Sequence, residues 1–171
     1  MLHCFDPIRD MTFWAILARL TLAVVCGGLI GAEREVKRRP AGFRTHILIC
    51  LGSAITTLTS QYLLFQHLYN DIARLGAQVI SGIGFVGAGT IIVTRDKRVK
   101  GLTTAAGLWA SACLGLAIGA GYYECVLVSV ALILVCMYAF PALENRLIQR
   151  SRYMNILAEL DGMECLGGVL A

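Results

Sequence analysis

Four long stretches of this chain contain no Asp, Glu, Lys or Arg, and this pattern constrains the fold more than any motif does. The stretches are residues 45–70, 75–94, 101–123 and 125–143, which contain 26, 20, 23 and 19 residues. About 20 apolar residues in helical form cross a bilayer core, and a helix satisfies its own backbone hydrogen bonds, as lipid requires. Only 15% of the residues are charged, against roughly 25% in soluble domains. Each stretch therefore predicts a transmembrane helix.

A fifth apolar stretch, residues 12–32, is interrupted once, by Arg19. Its last part, residues 20–32, also has the length of a signal-peptide core. Cleavage there would place five basic residues outside the membrane, whereas short basic loops normally stay in the cytoplasm. We therefore favour a fifth span. The sequence predicts an all-α bundle with spans at about 12–32, 45–64, 72–93, 102–120 and 124–143.

The basic residues indicate the orientation of this bundle. Twelve of the 15 lie in the loops after spans one and three and in the tail after span five, whereas the opposite side carries only Arg9. The positive-inside rule then makes residues 1–11 an external segment and residues 144–171 a cytoplasmic tail. The net charge of +4 is thus explained by the basic residues of the loops on the cytoplasmic side. Because no soluble basic face is evident, we expect no binding to nucleic acid.

The residues with reactive side chains give no sign of an enzyme. The seven cysteines are odd in number, contain no C-x-x-C pair and show no metal-ligand spacing. Most lie inside spans, where cysteine acts as a small apolar residue. H-E-x-x-H, G-x-S-x-G and P-loop motifs do not occur. We expect no catalytic activity, no cofactor and no bound metal.

Arg19 is the charged residue placed deepest within a predicted span, about seven residues or roughly 10 Å from its start. An arginine at the centre of a bilayer costs about 2.5–3.5 kcal/mol. Two interpretations remain open for its side chain. It either extends to the outer interface, or it faces the bundle and pairs with a polar group.

Small residues recur at helical spacing in three spans. Gly27 and Gly31 are four apart, Gly115 and Gly119 are four apart, and residues 82–89 contain four glycines. Small residues let helices approach closely in lipid, either within the chain or in a homo-oligomer. Uncharged polar residues lie nearby, and we favour hydrogen bonding between helices over a polar path or docking cleft for them.

Four segments, in this order, resemble the MgtC/SapB family: residues 31–34 (GAER), 41–45 (AGFRT), 77–89 (AQVISGIGFVGAG) and 99–106 (VKGLTTAA). The similarity extends over about residues 17–142. It implies a protein of the bacterial inner membrane with a hydrophobic N-terminal domain of about five spans. The family's external N-terminus and cytoplasmic C-terminus agree with the orientation inferred from the basic residues.

The resemblance also implies a function and a set of sites. It implies a regulatory role in adaptation to low magnesium and, in some pathogens, in virulence and survival inside macrophages. The expected partners are the lipid bilayer and a membrane complex such as the ATP synthase, with an effect on membrane potential. The positions it selects are Glu33, Arg34, Arg44, Thr45, Gln78, Ser81, Gly82, Gly84, Gly87, Gly89, Thr103 and Thr104. A transporter or channel for magnesium or another small solute is the alternative, which the lack of carboxylates within the spans weakens.

The C-terminal tail departs from the family pattern. Many members carry a cytoplasmic domain that resembles the ACT fold. Here residues 155–160 alternate weakly between apolar and polar, as a strand does. Because a single strand cannot complete a sheet, the tail is either the start of a truncated ACT-like domain or a naturally short tail.

Overall fold

A computed structural model describes residues 11–67, 71–95 and 99–150, which form five α-helices and one short β-hairpin. The helices are α1 Phe13–Val36, α2 Phe43–Phe65, α3 Ala73–Ala88, α4 Leu102–Gly119 and α5 Tyr123–Arg150. Strands β1 Ile92–Val93 and β2 Val99–Lys100 pair antiparallel between α3 and α4, with Ile92 opposite Lys100. The predicted N-terminal segment, except residue 11, and the predicted ACT-like strand lie outside the described residues.

The predicted class, an all-α membrane protein, is confirmed. Four helical segments are long and apolar enough to cross a membrane: Phe13–Val36, Phe43–Phe65, Leu102–Gly119 and Tyr123–Pro141. Helix α3 has 16 residues, about 24 Å, which is shorter than a hydrocarbon core of about 30 Å.

Helix α3 ends five residues before the predicted end of the third span, at Ala88. The hydroxyl of Thr90 donates to the carbonyl of Gly87 (2.7 Å) at this end. The β-branched residues Ile92 and Val93 then enter the hairpin, as their strand preference favours. The charge-free stretch therefore continues beyond the helix.

The first two helices are joined through their capping groups. Thr12 caps α1, since its hydroxyl accepts from the backbone N–H of Ala15 (3.3 Å). Helix α2 begins after Gly42, which has no side chain to act as a cap. The carboxylate of Glu35, near the end of α1, accepts from the backbone N–H of Phe43 (3.2 Å) instead. A carboxylate at a helix N-terminus is favourable, so this contact fixes the turn between α1 and α2.

The core lies between α1, α2 and α4, while α3 packs against α2 and α4, and α5 packs against α4 and α1. Its buried residues are apolar and come from α1, α2, α4 and α5: Ala23, Cys26, Ile30, Cys50, Ala54, Leu114, Ile118 and Val126.

Glycines allow the close contacts of α2 with α1 and α4. A Cβ atom at Gly27 would lie 2.8 Å from the carbonyl oxygen of His46, and one at Gly31 would lie 2.7 Å from Cα of Phe43. A Cβ at Gly119 would lie 2.6 Å from the carbonyl oxygen of Ala54. These distances are too short for any side chain, so the helix contacts predicted for these glycines are confirmed.

Candidate functional site

A cavity of about 550 Å³ opens where the end of α1 meets the start of α4 and one face of α5. It brings together four of the residues that the resemblance selects, namely Glu33, Arg34, Thr103 and Thr104. The segment that follows α1 also contributes Lys37 and Arg39. The side formed by α5 is mainly apolar and includes Leu132, Ile133, Cys136, Met137 and Phe140.

The floor of the cavity is a network of charged groups in which Glu33 and Arg34 are buried and Lys37 is exposed. The side chain of Glu33 is 2% exposed, and the Nζ of Lys37, one turn further along α1, lies 2.6 Å from its Oε1. The Nη1 of Arg34 lies 3.9 Å from Oε2 of Glu33. Arg34 also donates through Nη2 to the hydroxyl of Thr104 (2.6 Å), which ties α1 to α4. Buried charges are tolerated when they are paired in this way.

Two buried atoms of this network have further bonding capacity. Oε2 of Glu33 and Nε of Arg34 have no hydrogen-bond partner among the described residues. Helix α4 begins beside them, after Gly101, which has a left-handed φ of 97° and offers no side-chain cap. The first N–H groups of a helix lack intrahelical partners, and this end carries the positive partial charge of the helix dipole. The Nε of Arg34 and the start of α4 therefore favour a negatively charged group, whereas Oε2 of Glu33 can only accept a hydrogen bond from a donor.

Lys37 makes a second contact, with α5, that its position among the basic residues does not indicate. Besides pairing with Glu33, its Nζ donates to the carbonyl of Met137 (3.2 Å) and lies 5.7 Å from the centre of the Tyr138 ring. Pro141, four residues after Met137, lies inside α5 and has no N–H to bond that carbonyl. Pro141 within the predicted span 124–143 is the sequence feature that could have indicated this contact.

A second group of predicted residues lies on α3, away from the cavity. Gln78, Ser81, Gly82 and Phe85 follow the spacing of a single helix face, and all four are exposed, as is Gly84. Phe85 is 86% exposed. A Cβ atom at Gly82 or Gly84 would meet no described atom within 4 Å. Within the described residues no neighbouring helix approaches these two glycines, so the close contact predicted for them stays a prediction about a second copy of the chain or another protein.

The remaining positions from the resemblance are separate from both groups. Gly87 packs against a neighbouring helix, since a Cβ there would lie 3.4 Å from Cβ of Ala105 in α4. Gly89 is exposed just after α3. Arg44 is exposed and Thr45 is half-buried in the first turn of α2. Neither Arg44 nor Thr45 lines the cavity.

Arg19 faces the bundle and is 1% exposed, in agreement with the second of its two interpretations. Its Nη1 donates to Oε1 of Gln61 (3.1 Å) and to the carbonyl of Gly119 (3.0 Å), and its Nε donates to the hydroxyl of Tyr123 (3.3 Å). Gly119 ends α4, where the helix dipole favours a cation. Arg19 thus joins α1 to α2, α4 and α5 at the end of the bundle opposite to the cavity.

His46 is a buried polar residue, and no motif in the sequence indicates its environment. It is 0% exposed, and its Nδ1 lies 2.9 Å from the carbonyl of Gly42. Its Nε2, like the buried hydroxyl of Ser111, has no partner among the described residues. No group of three His, Cys, Asp or Glu side chains in the described ranges is placed to hold a metal ion.

These helices and their buried charge clusters define a multi-pass α-helical membrane protein. The model of the MgtC family matches residues 20–146, most of the chain. The chain therefore belongs to the MgtC family. No solved structure matches it.

Three bacterial relatives show how far the similarity extends. The Escherichia coli (strain K12) protein named "Putative magnesium transporter YhiD" is 39% identical over 82% of this chain and 67% of its own length. Protein SapB of Bacillus subtilis is 40% identical over 74% of this chain and 56% of its own. Protein MgtC of Salmonella typhimurium (strain LT2) is 39% identical over 72% and 52%. The chain thus matches between about half and two thirds of each relative.

Proposed function

We propose that this protein is a regulator in the bacterial inner membrane that binds another membrane protein complex and supports adaptation to low magnesium. The observation that carries the proposal is the exposed face of α3. That face contains Gln78, Ser81, Gly82 and Phe85, and it coincides with the longest of the segments that resemble the family.

The composition of this face favours a protein helix over lipid as its neighbour. Polar side chains such as Gln78 and Ser81 gain hydrogen bonds from a neighbouring helix that acyl chains cannot supply. Gly82 and Gly84 leave open space in front of the backbone, which allows a second helix to approach closely. Phe85 adds an exposed apolar ring beside them.

The partner we propose is a transmembrane helix of a larger complex such as the ATP synthase. The family resemblance supports this choice, together with the low-magnesium role and the effect on membrane potential. A second copy of this chain is the alternative partner for the same face. A second copy would give a homo-oligomer, whereas a helix of another complex would give a hetero-complex, and the two assemblies can be distinguished by measurement.

Transport of magnesium or another solute is the second candidate, which the name of YhiD favours. The two charged clusters would be the polar parts of a path through the bundle. Arg19 and Glu33 lie 14 residues apart on α1, about 21 Å along the helix axis. The space between them is filled by the apolar core around Ala23, Cys26 and Ile30. This arrangement favours binding over transport.

Co-purification with the ATP synthase tests the regulatory proposal. Gly82→Leu introduces a bulky side chain on the α3 face, whereas Gly52→Leu does the same on α2, where a Cβ also meets no described atom within 4 Å. Both variants remove one exposed helical glycine, so their intrinsic effects on helix stability match. We expect Gly82→Leu to abolish co-purification and growth at low magnesium, and Gly52→Leu to preserve both. Equal behaviour of the two variants would exclude the α3 face.

Two further measurements separate the alternatives. The mass of the purified chain in detergent reports a homo-oligomer, and a dimer that Gly82→Leu dissociates would replace the proposed partner with a second copy. Flux of magnesium, potassium and protons into liposomes that contain the purified chain tests transport. Flux above that of empty vesicles would overturn the regulatory proposal.

A further inference from the structure

We infer that the cavity between α1, α4 and α5 binds the phosphate group of an anionic membrane phospholipid, with an acyl chain of that lipid lying along α5. This inference concerns a ligand of the cavity and does not depend on the α3 face.

The charges around the cavity give it an excess of positive charge. Arg34, Lys37 and Arg39 line it against a single lining acid, Glu33. Glu33 lies 2.6 Å from Lys37 and 3.9 Å from Arg34, and its single negative charge offsets only one of the three positive charges. A phosphodiester carries one negative charge, so the net positive charge of these lining residues is sufficient to attract it.

One buried donor at the cavity, the Nε of Arg34, lacks a partner among the described residues. Arg34 is 5% exposed. The start of α4 lies at the same cavity, and Gly101 cannot cap it. N–H groups at a helix N-terminus bind phosphate readily, and a guanidinium group adds charge-assisted hydrogen bonds. The guanidinium group of Arg34 and the start of α4 both favour a phosphate group as the ligand.

The opposite side of the cavity distinguishes a lipid from a free anion. It consists of apolar residues of α5, and two of them, Leu132 and Phe140, are 59% and 56% exposed. This side therefore continues onto the outer surface of a membrane-crossing helix. The volume of about 550 Å³ falls in the range of small-molecule sites. Inorganic phosphate would contact only the basic side of the cavity. A phospholipid would contact the basic side through its phosphate and the apolar side through an acyl chain.

Native mass spectrometry of the full chain in detergent tests the inference. The probes are phosphatidylglycerol and phosphatidylcholine with the same acyl chains. We expect stronger retention of phosphatidylglycerol by the unmodified protein. Arg39→Gln should weaken its affinity about fivefold, the effect of one basic residue on anionic lipid. The matched control is Arg38→Gln, which removes the same charge from an exposed neighbour outside the cavity lining, and its affinity should stay within about twofold.

Three outcomes would overturn the inference. Equal retention of the two lipids would show that the net negative charge of the headgroup is not recognised. Equal losses in Arg38→Gln and Arg39→Gln would show general surface attraction instead of a site. Displacement of phosphatidylglycerol by millimolar inorganic phosphate would assign the cavity to a soluble anion. Since Arg39 is exposed, its variant decides the matter even where Arg34→Gln, which removes a buried hydrogen bond, does not fold.

Discussion

Nζ of Lys37 lies 3.2 Å from the carbonyl oxygen of Met137 and donates a hydrogen bond to it. The acceptor is available because Pro141, four residues further along α5, has no N–H. A proline within one helix and a lysine at the end of another are thereby coupled. The same Nζ pairs with Glu33, so Lys37 links the charged floor of the cavity to its apolar side.

A double-mutant cycle measures this coupling. Lys37→Met should lower the free energy of unfolding less in a Pro141→Ala background, by about 1 kcal/mol, because residue 141 then supplies an N–H for Met137. The lost pairing with Glu33 is common to both backgrounds and cancels. Thermal unfolding in one detergent gives the values, and Arg38→Met is the matched control, expected to be additive with Pro141→Ala. Additivity of Lys37→Met with Pro141→Ala would contradict the coupling.

The helix glycines should divide into two kinds when each is replaced by alanine. Gly27→Ala forces a Cβ to within 2.8 Å of the His46 carbonyl oxygen and should lower the free energy of unfolding by about 2 kcal/mol. Gly82→Ala enters open space and should raise it by about 0.5–1 kcal/mol, because alanine favours the helix. Circular dichroism during heating compares the two variants. Changes of the same sign would refute the division.

Much of the fold follows from where charges are absent, because lipid excludes charge along the length of a helix. The same criterion overestimated α3, since residues such as Ile92 and Val93 are equally uncharged in a helix and in a hairpin. Glycine spacing correctly indicated the contacts of Gly27 and Gly119. It did not distinguish Gly82, because spacing identifies a helix face but does not show what covers that face.

The candidate site was predictable only in part. Glu33, Arg34 and Thr104 came from a resemblance, and their proximity depends on the packing of α1 against α4, which no local pattern reveals. The positive-inside rule alone accounts for a lysine at position 37. The sequence therefore does not show that Lys37 also contacts Met137 in α5. The side of the cavity formed by α5 has the composition of any apolar transmembrane span, so the sequence alone does not show that it lines a cavity. A contact between distant segments needs the tertiary arrangement.

Reporter fusions test the orientation inferred from the basic residues. Alkaline phosphatase folds outside the inner membrane, whereas green fluorescent protein becomes fluorescent in the cytoplasm. We expect an active phosphatase fused after residue 67 and a fluorescent protein fused after residue 95, because the loop between α3 and α4 carries Arg95 and Lys100. The reversed pair of results would place the cavity on the external side.

Arg19 should be among the most important residues for stability. Arg19→Leu leaves the carbonyl of Gly119 and the amide of Gln61 without their donor and should lower the free energy of unfolding by about 3 kcal/mol. Arg19→Lys keeps the charge, but one ammonium group cannot reproduce the spread of a guanidinium fork, so about half of the loss should remain. Arg44→Leu removes an exposed arginine and should change stability by less than about 0.5 kcal/mol. Thermal unfolding of the three variants in one detergent gives the order. If Arg19→Leu were as mild as Arg44→Leu, the buried network around Arg19 would contribute no net stability, and hydrophobic packing alone would hold that end of the bundle together.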